Sequence, residues 1–219
     1  ASPKSVEALA TELNAGADSP EKYLAGLFDR HSIVFVGEFG LIEQQVDVIA
    51  RSIPVLYSEG VRHLGFEFAL FEDTDRIDQI VTDEAFDEVA AAEVLFDRLV
   101  IWGFEEYLEV LRSAWSHNQT LAEGEPPFRI VGLSPRIAWR ELESERDVED
   151  PEVMSRVYAG GIPDAVMAET ILREFVQKDE PALVYVSVQH AFTRHTITDY
   201  EEKAIEIDIG EGRAGAPAL

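Results

Sequence analysis

The chain contains no cysteine, which excludes disulfides, thiolate metal sites and a cysteine nucleophile while leaving the redox compartment open. Positive charge is also scarce. Against 43 Asp and Glu stand only 18 Lys and Arg, a formal charge of -25 at pH 7. A field of that sign repels nucleic acid and anionic membranes over roughly a Debye length of about 8 Å at physiological salt, so neither is expected as a partner. It reads first as a solvated acidic shell, with collection of cations or a basic partner as the lesser alternative. No apolar run approaches the ~18 residues that cross a bilayer. The opening ASPKSVEALA lacks the basic and apolar segments of a signal peptide. A soluble protein is expected, with the cytoplasm favoured, although a chain opening on Ala1 is compatible with a removed leader.

What the chain does have is a 46% hydrophobic content over 219 residues, enough to bury one substantial core. A single domain over residues 1–219 is expected. Apolar strand-like runs, SIVFVG, HLGFEF, PPFRIVGLS and ALVYVSVQH, alternate with helical periodicity. An amphipathic opening helix over about residues 3–15 comes first, then DSPEKYLAGLF with Asp18 or Ser19 as cap and Pro20 in the first turn. A helix from about Leu41 to Glu59 follows the first strand, with Pro54 expected to kink or interrupt it. DEAFDEVAAAEVLFDRLVIW and FEEYLEVLRSAWSHN read as helices separated near Gly103, DAVMAETILREFVQK as another, and KAIEIDI as a short edge strand. This alternation predicts an α/β fold with a largely parallel central sheet flanked by helices.

In open α/β sheets, sites form at the carboxyl ends of the strands. Two strands finish on or near a glutamate, Glu38 in SIVFVGEFG and Glu67 in HLGFEFA. A buried, unpaired carboxylate costs several kcal/mol. The topology would bring them to one edge with Ser134 and Arg136, and with Gln189 and His190. Each has a structural alternative. Glu38 suits the start of the next helix, where a carboxylate gains about 0.3–1 kcal/mol. Glu67 suits a structural ion pair, and lies between Phe66 and Phe68, whose side chains should face the other way. Arg136 suits an exposed position. His195 follows His190 closely enough to share the site. Asp164 after Pro163 fits ordinary helix-start chemistry. His31, His63 and His117 read as strand-edge or surface residues, and Phe104, Tyr107 and Trp115 as packing residues beside Leu108 and Leu111. GEFG matches neither dinucleotide nor P-loop patterns, and no G-x-S-x-G elbow occurs.

The ordered set VFVGE (34–38), GFEFA (65–69), VGLSPR (131–136), DAVMAETI (164–171) and LVYVSVQHA (183–191) resembles the erythromycin esterase/ChaN-like superfamily. It covers most of the chain. The resemblance implies an α/β fold with a strand-end site. Members include macrolide-lactone hydrolases, haem-binding iron-uptake lipoproteins and, more distantly, metal-dependent proteases of the TraB/TIKI type. Glu38, Glu67 and His190 match its pocket residues, and Asp164 its acidic residue ahead of Met-Ala, with Pro163 where an arginine is usual. The family histidine just after Gly-Glu is replaced by Gly40 and Leu41, with His195 as a candidate substitute, and the lipoprotein cysteine is missing.

The expected activity is hydrolysis of an ester, lactone or amide of a small molecule. His190 would serve as general base, Glu38 or Glu67 would orient it, and Arg136 or backbone amides would stabilise the oxyanion. A divalent metal held by Glu38, Glu67 and His190 or His195 would do the same work. The alternative is a non-catalytic pocket for haem, a metal or another small ligand.

Overall fold

The computed structural model describes residues 5, 7, 8, 11, 18–40, 42–98 and 104–191, with the backbone of 194–198 and 204–208. The anticipated opening helix and the Gly103 break lie almost wholly outside these. Four parallel strands, β1 (Ile33–Glu38), β2 (His63–Leu70), β3 (Arg129–Ser134) and β4 (Ala182–Ser187), form one sheet in the order β1-β4-β2-β3. The protein is thus α/β, as the alternation of strands and helices implied. Among the described residues, no helix is long and apolar enough to cross a membrane.

The helices begin where side chains satisfy free amides. Ser19, not Asp18, caps α1 (Pro20–Gly26), its Oγ accepting from Lys22 N at 3.4 Å. α2 (Glu43–Ser58) continues through Pro54 without the anticipated interruption. Its Val46, Ile49, Ile53 and Leu56 are buried, and that packing outweighs the missing amide. α3 (Thr74–Thr82) was not anticipated, although Ile77, Ile80 and Val81 carry helical spacing and are buried. α4 (Glu88–Arg98) starts later than expected, because the Asp87 carboxylate accepts from Ala90 N at 3.0 Å and ends the preceding bend. α5 (Glu105–Asn118) matches expectation. Between β3 and β4 lie α6 (Pro151–Val157), capped by Asp150 and also unanticipated, and α7 (Pro163–Glu174). A helical turn, α8 (Val188–Ala191), follows β4 directly. KAIEIDI does not extend the main sheet. Its residues form β6 (Ala204–Asp208), antiparallel to β5 (Arg194–Thr198) in a separate two-stranded sheet.

Among the described residues, the two faces of the sheet carry unequal cores. The larger core buries Leu64, Phe66, Phe68 and Tyr185 of the sheet against α2, α3, α4 and α5. The smaller one joins Val131, Leu133, Val184 and Val186 to Met167 and Ile171 of α7 and to Phe175.

β2 leaves register with β3 after Phe66: Phe66 pairs with Gly132, but Leu70 pairs with Ser134. Such bulges recur beside functional sites because they redirect side chains. The Ser134 hydroxyl donates to the Glu67 carbonyl at 2.6 Å, and Gly132 N to Thr74 Oγ1 at 3.1 Å. At Gly132 the chains approach so closely that an added Cβ would sit 2.0 Å from Leu70 O. Gly132→Ala should therefore lower unfolding free energy by about 2–3 kcal/mol. Urea unfolding monitored by circular dichroism tests this; a midpoint equal to wild type would refute the close approach.

Candidate functional site

β4 is flanked by β1 and β2, so its end is the centre of the carboxyl edge. Glu38, the last residue of β1, pairs with Ser187, the last of β4. On the other side Glu67 reaches the same residue: its Oε2 accepts from Ser187 N at 2.6 Å and its Oε1 from Ser187 Oγ at 3.2 Å. Glu38, Ser187 and Glu67 thus lie side by side. β4 ends three residues before His190, and the α8 turn swings the imidazole over Glu67.

Glu67 is buried by its neighbours. Arg98, the last residue of α4, places Nη2 4.0 Å from Glu67 Oε1, and His190 places Nε2 3.7 Å from the same oxygen. Both distances exceed a direct hydrogen bond. On the far side of the imidazole, Asp164 in the first turn of α7 lies 2.7 Å from His190 Nδ1. That bond assigns the proton to Nδ1 in neutral His190 and leaves the Nε2 lone pair facing Glu67.

Glu38 is sealed, with 2% of its surface exposed. Tyr107 of α5 donates its hydroxyl to Glu38 Oε1 at 2.5 Å. Among the described residues, Glu38 Oε2 and the Tyr185 hydroxyl are both buried without a hydrogen bond of good geometry, although Glu38 lies close enough to act on the tyrosine. Burial, then Glu38, pushes both tyrosine hydroxyls well above their usual range. Tyr107 also packs on Phe68, ring centroids 4.6 Å apart, so the packing role read from its helix is only half of what it does.

Several expectations need correction. Arg136 is half exposed and donates Nε to Glu72 Oε1 at 2.5 Å; with a surface carboxylate beside it, it is not drawn to Glu67 or His190. Arg98 is the arginine that is. Gln189 is exposed, with Nε2 3.5 Å from His190 Nε2, and Ser134 supports the Glu67 backbone. His195 lies on β5 opposite Ile207, and its side chain is outside the described residues. β2 runs three residues past Glu67, so Glu67 marks the bulge, not the strand end. Glu38, Glu67 and His190 are not brought together as metal ligands, and among the described residues no group of three His, Asp or Glu is arranged to hold a metal ion. Glu67 is hydrogen-bonded by Ser187, and the side chain of His195, the remaining candidate ligand, lies outside the described residues.

No protein-family model matches the chain, and neither does any curated protein. Solved structures do share its fold. The type III effector HopBA1 aligns at TM-score 0.53 with 16% identity, over 78% of this chain and 73% of that one. A structure described as bacterial protein toxins aligns at TM-score 0.53 with 13% identity, over 89% of this chain and 35% of the other. RRSP, a MARTX toxin effector domain from Vibrio vulnificus CMCP6, aligns at TM-score 0.51 with 14% identity, over 89% and 34%. The chain thus spans about a third of the length of the latter two. At these identities the likeness is one of fold.

Ser187, Arg98 and Tyr185 were missed as site residues. Ser187 was read as strand interior because the apolar run continues to Val188. Arg98 offered one signal, a lone cation inside the apolar VLFDRLVIW.

His190 is governed by opposed effects. Burial acts to lower its pKa, but the Asp164 hydrogen bond and the Glu67 charge outweigh it and hold it above the usual 6.5. The same bond, against burial, holds Asp164 below 3.8. A raised histidine stabilises the fold below its unfolded pKa and loses that contribution as pH rises through the folded value. A depressed carboxylate contributes above its unfolded pKa and loses that as pH falls through the folded one. The pair therefore supports the fold most between about pH 3.8 and 6.5. Asp164→Asn should lower the His190 pKa, read from its ring proton by NMR; an unmoved titration would show that the contact does not govern it. Tyr107→Phe, which strips Glu38 of its donor, should cost about 1–3 kcal/mol in urea unfolding. Tyr185→Phe, removing a hydroxyl that makes no well-formed hydrogen bond among the described residues, should cost less. Equal losses would count against the Glu38–Tyr107 bond.

Proposed function

We propose that this edge hydrolyses an acyl bond, an ester, lactone or amide. The observation that carries the reading is the alignment of Asp164, His190 and Glu67, with Nε2 held 3.7 Å from Glu67 Oε1. A water bridging the two would touch both atoms. His190 Nε2 takes a proton from that water as its oxygen attacks the carbonyl carbon. The imidazolium, stabilised by Asp164 and Glu67, returns the proton to the leaving oxygen or nitrogen as the carbonyl–heteroatom bond breaks. Glu67 orients the water, Ser187 fixes Glu67, and Glu38 works from behind the site as a buried charge held by Tyr107. The resemblance to the erythromycin esterase/ChaN-like superfamily supports this reading, since Glu67, Asp164 and His190 are matched positions that stand together here. The second reading, a non-catalytic small-ligand pocket, is favoured by the burial of Glu38 and by Gly40 and Leu41 in place of the family histidine.

The test is a panel of nitrophenyl esters, lactones and peptide amides. Turnover of at least one class is expected, rising with pH through a pKa above 6.5 as neutral His190 forms. His190→Ala should reduce it about 10²–10⁴-fold. Turnover untouched by His190→Ala would remove the histidine from the reaction, and no turnover on any class would leave the binding reading.

A further inference from the structure

We propose that Arg98 holds the negatively charged oxygen of the tetrahedral intermediate. The proposal rests on the hydrolytic reading above and names a residue that reading does not use.

Arg98 is largely enclosed and, among the described residues, underused. Its side chain is 10% exposed. Its Nε is buried without a hydrogen-bond partner among the described residues. Its Nη2 stands 4.0 Å from Glu67 Oε1, too far to bond, and that carboxylate already accepts from Ser187 N and Oγ. A guanidinium offers five donors in a planar fork, and taking such a cation out of water without filling them is costly. A cation in the last turn of a helix is commonplace, since it complements the helix dipole. That explanation calls for an exposed arginine, and does not require the guanidinium to be tucked against the sheet.

The position supplies the rest. Arg98 Nη2 and His190 Nε2 flank the same oxygen, Glu67 Oε1, at 4.0 and 3.7 Å. A carbonyl attacked by a water held at Nε2 and Oε1 therefore develops its charge within reach of the guanidinium. Charged donors aimed at a developing oxyanion in a water-poor site are among the strongest contributions to acyl transfer. Attack forms the new carbon–oxygen bond and moves the carbonyl π pair onto oxygen, where Arg98 donates to it. Collapse of the intermediate returns that pair and expels the leaving group.

The test uses methyl phenylphosphonate, a tetrahedral monoanion, titrated into the whole protein and followed by ³¹P shift and by the His190 ring signal. Wild type should bind it and shift His190. Arg98→Met should weaken binding at least tenfold, while neutral dimethyl phenylphosphonate should be indifferent to the change. Arg98→Gln, which keeps a polar end without charge, serves the same purpose if Arg98→Met does not fold. Failure of wild type to bind, or equal affinity in the variants, would overturn the proposal. The substrate panel tests hydrolysis separately. Absent turnover alongside Arg98-dependent phosphonate binding would therefore sink the hydrolytic reading and leave Arg98 as an oxyanion site.

Discussion

The arrangement depends on one bond, from the Ser187 amide to the Glu67 carboxylate at 2.6 Å. Glu67 sits on a bulge where β2 has left its ladder with β3, and Ser187 is the final residue of the central strand. A carboxylate at such a place would be expensive to bury alone. With a backbone amide and a hydroxyl to accept from, it instead binds β2 to the end of β4 and presents its edge to His190 and Arg98. The bulge, the close contact at Gly132 and the Ser134 hydroxyl on the Glu67 carbonyl all serve that placement.

The fold was largely legible in the sequence because it rests on period and composition. Four apolar runs separated by helical spacing leave little choice but a parallel sheet, and each became a strand near its expected limits. What escaped depended on competition between neighbours. α3 was hidden because Thr74, Asp75 and Asp78 interrupt an otherwise helical stripe, and β6 went elsewhere because an alternating strand carries no record of which sheet it will join.

For the site, residue type was easier to read than direction. Glu38, Glu67 and His190 were visible as polar residues closing apolar runs, whereas Asp164 looked like helix-start chemistry and only the family resemblance pointed to it; the structure gathers all four at one edge. Arg136 and Arg98 are the instructive contrast. The first follows a strand end and finds Glu72 at the surface, whereas the second is carried inward by the last turn of α4. Only tertiary contacts distinguish them. Tyr107 shows the converse: a residue whose helical spacing announces packing also carries a hydroxyl, and the buried carboxylate opposite makes use of it.

The inequality of the two cores bears on the histidine. Asp164 belongs to α7, which rests on the smaller apolar cluster, whereas Glu67, Ser187 and Arg98 belong to the sheet and the larger layer. Elements with less buried contact open locally at lower free energy than the global fold. An opening of α7 would take Asp164 from His190 and leave the sheet intact. The proton affinity of His190 is therefore also a gauge of how firmly α7 is docked, and anything that loosens that helix dims the base without dismantling the frame around it.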